Sequence, residues 1–205
     1  MSLFVIGAGG HAKVVVASLQ DAGWTVDGIL DDNSDKWGDR LLGVPILGPI
    51  SVLHNHSNVR AIIAIGDNRT RKLLASNFPD IQWVTLIHPR AYVHPSVRLG
   101  DGTVVFAGAI LQPFASVGKH AIVNTGAIVE HDCKIGDFVH VAPGCRLTGG
   151  VEIGEGTLVG TGACIIPGVQ IGAWVTIGAG SVVVDNIPEG VIAYGVPAQV
   201  KRRNP

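Results

Sequence analysis

The chain has 205 residues, of which 28 are glycine and 11 are proline, too much backbone punctuation for a helical bundle. Hydrophobic residues make up 47% and charged residues 15%, which is ample core material, too apolar for a disordered protein, and without an unbroken apolar run long enough to span a membrane. Its 15 basic and 16 acidic residues leave a formal net charge of -1, which offers no electrostatic footprint for nucleic acid or an anionic membrane.

The N-terminus turns at once to glycine, with no basic flank or small-residue cleavage site, as expected of a cytoplasmic chain. Residues 3–8 read as a buried strand running into Gly9-Gly10-His11, and residues 12–19 read as a helix ended near Gly23. Gly7, Gly9 and Ala12 fit G-x-G-x-x-A. A second strand over residues 26–30 ends in Asp31-Asp32, where the dinucleotide fingerprint places a ribose-binding carboxylate. Taken literally, the motif predicts NAD. A third unit follows: strand 61–65, the loop Gly66-Asp67-Asn68, helix 69–78, and a fourth strand over 83–87.

That is half a Rossmann fold, with one nucleotide-sized crevice and no room for a dehydrogenase's substrate domain. The same physics suits a nucleotide sugar: glycines let a backbone approach, and a helix N-terminus offers free N–H groups. The plainer alternative is a glycine turn that only packs helix against sheet. His54 and His56 read as loop residues, and His88 and His94, each before a proline, as turn residues.

From Ile87 to Val183 an aliphatic residue recurs every six positions, and a small or β-branched side chain follows four residues after each. Glycine recurs at the fourth place of the hexad, as corners with positive φ require. A short strand and a corner, three times per coil, produce this pattern, which predicts a triangular parallel β-helix. The repeat alone proves no chemistry. Cys133 and Cys145 fall at the inward small position, where a thiolate is buried and unactivated; Cys164 stands at a hexad end.

Polar residues at corners project outward from this rigid support. In Glu130-His131-Asp132, His131 has the character of a general base, and an adjacent carboxylate, Asp132 or Glu130, could orient it. His140 lies half a coil further on. A zinc site through His120, His131 and His140 lacks a compact ligand spacing. Trp174 suits an interface or a ligand platform, and Lys201-Arg202-Arg203 a solvated end.

The Gly7-to-Val15 start, Leu30-Asp31-Asp32, Gly66-Asp67-Asn68, Asn124-Thr125, Glu130-His131-Asp132 and the closing Tyr194-Gly195-Val196-Pro197-Ala198 together resemble one family. It is that of the sialic acid O-acetyltransferases, whose other branch N-acetylates 4-amino-sugar nucleotides. The resemblance implies an α/β N-terminal Rossmann-like half domain over 1–86, a left-handed parallel β-helix of hexapeptide repeats over 87–188, and a tail over 189–205. It implies a homotrimer with acetyl-CoA between neighbouring columns, the nucleotide sugar on the N-terminal domain, and no metal.

By position, His131 matches the catalytic base and Asp132 its acidic support. His140, Thr161 and Ala179 match acetyl-CoA contacts. Gly9, Gly10, His11, Asp31, Asp32 and Gly66 match substrate positions, with Asn124 a further polar contact. The expected reaction is acetyl-CoA-dependent N-acetylation of the 4-amino group of a nucleotide-linked 4-amino-4,6-dideoxy sugar, with backbone N–H groups near Gly149 holding the oxyanion. O-acetylation of sialic acid or a related sugar is the near alternative. A metal lyase of the γ-carbonic anhydrase kind and a non-catalytic nucleotide-sugar sensor are the distant ones.

Overall fold

The computed structural model describes residues 1–55 and 59–204, so the expectation for His56 lies outside the described residues. The chain divides into two compact units, Met1–Pro89 and Arg90–Pro205.

In the first unit β1 (Leu3–Ile6) is wholly apolar and wholly buried. It leads into α1 (Gly10–Asp21), which buries Ala12, Val15, Val16 and Leu19. β2 (Gly28–Leu30), β3 (Arg40–Leu41) and β4 (Val44–Gly48) follow, then β5 (Arg60–Ile63), α2 (Asn68–Asn77) and β6 (Gln82–Trp83). The sheet order is β3-β4-β2-β1-β5-β6, parallel except for the β3–β4 hairpin. The chain moves outward from β1 on one side and returns to its other side at β5. The β1/β5 crevice is therefore the topological switch point at which open α/β sheets bind ligands.

Two differences from the sequence expectation stand out. β4 was not expected, because Pro45 punctuates its apolar run; the structure places Pro45 opposite Arg40 in the short hairpin. The strand expected over 83–87 is split into Gln82–Trp83 and a separate pair, Leu86–Ile87. His54 lies in a single 3-10 turn, Ile50–Asn55, and stacks on Phe78.

The second unit is a parallel β-helix. Two-residue strands recur every six residues, and each pairs with the strand 18 residues on: Val104↔Ile122, Ile122↔His140, His140↔Leu158 and Leu158↔Thr176 along the first face. The second face runs from Tyr92 through Ile110, Ile128, Arg146 and Cys164 to Val182. The third runs from Arg98 through Ser116, Lys134 and Glu152 to Gln170. The two inward positions of the hexad form one continuous core, with Val123, Val129, Val141 and Leu147 stacked among Ala121, Ala127, Cys133 and Cys145.

Every fourth-place residue from Gly102 to Gly180 has a positive φ, and five of them are not glycine: Phe114, His120, Asp132, Phe138 and Trp174. Left-handed backbone costs a residue with a Cβ about 1 kcal/mol, so each of these five corners carries a local strain. Within the expected tail, residues 191–203 form a hairpin. Val191–Gly195 pairs in parallel with Thr176–Ile177, and Ala198–Arg203 folds back antiparallel on it, so the first face continues past the last hexad.

Candidate active site

The corners stack into three edges. The edge between the first and second faces is all glycine: Gly108, Gly126, Gly144, Gly162 and Gly180. The edge between the second and third faces carries Phe114, Asp132, Gly150 and Gly168. The remaining edge carries His120, Phe138 and Trp174.

His131 and Asp132 sit on the second of these edges. Asp132 takes the left-handed corner with φ 60°, a conformation that a short polar side chain tolerates better than most. Its Oδ2 lies 2.9 Å from His131 Nδ1. The Nδ1–H therefore donates to the carboxylate, and Nε2 is left as the acceptor. Geometry selects Asp132 over Glu130 as the supporting acid. Both side chains are open to solvent, 61% for His131 and 64% for Asp132.

One coil further along the same edge, a Cβ on Gly149 would stand 2.6 Å from His131 Cε1 and Nε2. Gly149 has no positive φ, unlike its neighbour Gly150, so the imidazole rather than the backbone accounts for glycine there. The His131 carbonyl accepts from the Gly150 N–H at 2.9 Å, which ties the two coils together at this point.

The other expected cofactor contacts gather on the first face and the glycine edge. His140 Nε2 is 3.0 Å from Asn124 Nδ2, while Asn124 Oδ1 accepts from the Thr125 N–H at 2.8 Å. With the oxygen so engaged, the amide nitrogen donates to His140. Thr161 accepts from the Gly180 N–H at 2.8 Å, one coil below Ala179. Within a single chain these residues do not meet His131, because the whole second face separates the two edges. His120, ring-stacked on Phe138 with centroids 5.3 Å apart, belongs to the remaining edge. The three histidines weighed as a zinc set are thus dispersed over the column.

Cys133 and Cys145 are buried. Burial pushes both thiols up, Cys145 to about 11, so neither presents a thiolate near neutrality.

In the first unit the motif glycines divide into two kinds. Gly7 has φ 101°, and a Cβ on it would lie 2.9 Å from Ile65 Cγ1, so a left-handed backbone and the close approach of the chain that leaves β5 explain it. Gly9, Gly10 and Gly66 have neither a positive φ nor any atom within 4 Å of where a Cβ would be. Their bareness opens space at the ends of β1 and β5, at the switch-point crevice.

The two aspartates expected there are already engaged by the fold. Asp31 Oδ2 accepts from the Ala8 N–H at 2.6 Å and faces Lys36 Nζ at 3.2 Å, while Oδ1 accepts from the Asn33 N–H. Burial acts to raise its pKa, but these hydrogen bonds outweigh it and hold the carboxyl below its usual range. Asp32 Oδ1 accepts from the Ile50 N–H. Each thus pins a loop that borders the crevice.

His11, in the first turn of α1, has its pKa lowered to about 4 by burial and then by Arg71. Arg71, 1% exposed, donates to the Ile65 and Gly66 carbonyls at 3.2 and 2.9 Å and shapes the second wall of the crevice. Sequence reasoning missed it, since Arg69, Arg71 and Lys72 look alike on a polar helix.

A cavity of about 660 Å³ runs over Gly136, Gly154 and Gly172 on the third face and is lined by none of these residues. Its glycine floor is structural: a Cβ on Gly136 or Gly154 would strike the backbone of the next coil.

Residues 2–78 match the PglD N-terminal domain, and residues 114–149 and 150–185 match the bacterial transferase hexapeptide model. A histidine mutant of perosamine N-acetyltransferase from Caulobacter crescentus, solved with CoA and GDP-perosamine, is 44% identical with a TM-score of 0.91, over 98% of this chain and 97% of that one. The acetyltransferase domain of PglB from Neisseria gonorrhoeae FA1090, solved with acetyl coenzyme A, is 39% identical with a TM-score of 0.92, over 98% of each chain. The UDP-N-acetylbacillosamine N-acetyltransferase of Bacillus subtilis is 41% identical over 108 residues, 50% of this chain and 50% of that protein. The chain spans still less of a second curated relative, an uncharacterised mimivirus protein, of which 21% is matched.

Proposed function

As the chain belongs to the sugar N-acetyltransferase family that joins a PglD N-terminal domain to left-handed hexapeptide repeats, we propose that it transfers the acetyl group of acetyl-CoA to the 4-amino group of a nucleotide-linked 4-amino-4,6-dideoxy sugar. The observation that carries this is the Asp132–His131 contact of 2.9 Å, which leaves Nε2 as a proton acceptor beside bare backbone. The sugar amine attacks the thioester carbonyl, the new C–N bond forms, and His131 Nε2 takes the amine proton. Asp132 stabilises the imidazolium that results. The C–S bond then breaks, and His131 returns the proton to the departing CoA thiolate.

Gly9, Gly10, His11 and Gly66 hold the nucleotide sugar in the β1/β5 crevice, where the free N–H groups at the start of α1 suit phosphate. Asp31, Asp32 and Arg71 position its walls. The reaction takes place in the cytoplasm, where acetyl-CoA and nucleotide sugars are made. Among the described residues no helix is long and apolar enough to cross a membrane.

The working unit is a homotrimer. Ile110, Ile128, Cys164 and Val182 point outward from the second face and are half-buried, whereas Arg98, Lys134 and Gln170 make the third face polar and exposed. The second face, apolar apart from the exposed Arg146 at its middle, turned toward partners brings the His131 edge of one chain to the glycine edge of the next. Acetyl-CoA then lies between His131 and Gly149 of one chain and Asn124, His140, Thr161 and Ala179 of its neighbour.

The test is release of CoA from acetyl-CoA across UDP-, GDP- and dTDP-linked 4-amino sugars and sialic acid. Turnover confined to an amino-sugar nucleotide and lost in His131→Ala is the expected result. Turnover with sialic acid alone, or none at all, would overturn the proposal.

A further inference from the structure

Phe114 is 70% exposed and holds a left-handed corner at φ 63°, on the same edge as Asp132 and one coil before it. The two corners are in register, with the Asp132 N–H donating to the Pro113 carbonyl at 3.2 Å. An aromatic residue in this conformation is costly, and the other aromatic corners recover that cost by stacking. Phe138 lies parallel to the His120 ring, and the Trp174 ring fills the place of a Cβ on Gly156. Phe114 instead turns its ring to solvent.

Its backbone is held there deliberately. The Phe114 N–H donates to Ser96 Oγ at 2.9 Å, and that hydroxyl donates to His94 Nδ1 at 2.8 Å. The Ser96 N–H also points at Nδ1, so this ring nitrogen is an acceptor and the direction of the chain of bonds is determined.

The His131 ring faces Gly149, toward the later coils where Thr161 and Ala179 also lie. If the thioester comes from that side, the amine must come from the other, across the first coils. We propose that Phe114 is the apolar wall against which the hexose ring lies, its face on the sugar C–H groups and on the 6-methyl of a 6-deoxy sugar. This inference rests on the acetyl transfer proposed above. An aromatic face suits the methyl-bearing side of a 6-deoxy hexose and is a poor match for a hydrated 6-hydroxymethyl. Phe114 is therefore a specificity residue that touches substrate and takes no part in proton transfer.

The experiment is steady-state kinetics of wild type, Phe114→Gly and Phe114→Leu, with thermal melting and sedimentation alongside. Phe114→Gly is expected to raise KM for the 4-amino-4,6-dideoxy-sugar nucleotide by about tenfold. It should leave KM for acetyl-CoA within about twofold, and lose about fourfold of the preference for the 6-deoxy over the 6-hydroxy sugar. Phe114→Leu should fall between the two. Because glycine relaxes the corner, Phe114→Gly should melt no lower than wild type, which separates lost recognition from lost folding. Unchanged KM for the sugar nucleotide in a wild-type background that turns over would overturn the role of Phe114 alone. Loss of the trimer with both KM values rising together would replace it with an interchain contact. A wild type that acetylates nothing in the panel would overturn the acetyl-transfer proposal and this one with it.

Discussion

The imidazole of His131 occupies the volume that a Cβ on Gly149 would need, one coil further along the same edge. Gly149→Ala therefore displaces the ring proposed to take the proton, without straining a backbone that is not left-handed at this position. The expected result is a kcat lower by about a hundredfold with little change in melting temperature. Gly168→Ala, on the same edge with φ 74° and no nearby atoms, should do the reverse and cost about 1 kcal/mol of stability with activity retained. CoA-release assays and thermal melting on the two variants decide it.

Asp132 combines an unfavourable corner with the contact proposed to support the base, so stability and activity should part company there. Asp132→Gly is expected to stabilise the fold by about 1 kcal/mol, seen as a higher melting temperature, while lowering kcat by about tenfold or more. Asp132→Asn should lower kcat without the gain in stability. His131→Ala should cost on the order of a hundredfold to ten-thousandfold in kcat. A variant Asp132→Gly that gained stability and kept full activity would remove Asp132 from the mechanism.

The residues expected at the acetyl-CoA site lie on two edges of one column and can meet only between chains. His131→Ala and His140→Ala, each weakened alone, should therefore recover activity when co-refolded, because a mixed trimer contains an interface with both histidines intact. Up to roughly a quarter of wild-type activity is expected from random mixing of such interfaces. Ile128→Asp, on the apolar second face, should yield a monomer by sedimentation and abolish turnover. Failure of the mixed trimers to recover would place the site within one chain.

His11 should give the fold an acid limit. Its pKa in the folded protein is about 4, below the 6.5 of an unfolded chain, because burial and then Arg71 oppose its charge. As pH falls the unfolded chain takes up the proton first. Stability is then complete above the unfolded value and is lost between pH 6.5 and about 4. The loss reaches roughly 3 kcal/mol. His11→Asn should flatten the dependence of melting temperature on pH across that window, and an unchanged slope would show that other groups govern it.

Much of the column was legible in the sequence. A six-residue period with two inward places requires a strand and a corner, and the register of 18 follows from three corners per coil. An acid beside His131 was legible, but the sequence left Asp132 and Glu130 both open, and only the geometry of the corner put Asp132 against the imidazole. The hairpin over 191–203 was not, since its residues leave the period and pair by a long-range match to Thr176–Ile177. Nor was β4, hidden by Pro45.

In the first unit the sequence located the glycine loop and the acidic pair, but not the backbone amides that those carboxylates hold. Asp31 and Asp32 resemble ligand groups in a motif, yet their oxygens hold the Ala8 and Ile50 amides. Arg71 gave no signal, because nothing local distinguishes a cation that the fold buries fully from its neighbours Arg69 and Lys72.

By itself the sequence determined the column and its corners, because those depend on contacts whose spacing along the chain is periodic. Only the tertiary structure decided which glycines are bare for packing and which for open space, that Gly149 accommodates a ring, and that the expected cofactor contacts divide between two edges. Those are relations between side chains brought together by burial and by the turning of the coil, and no local period encodes them.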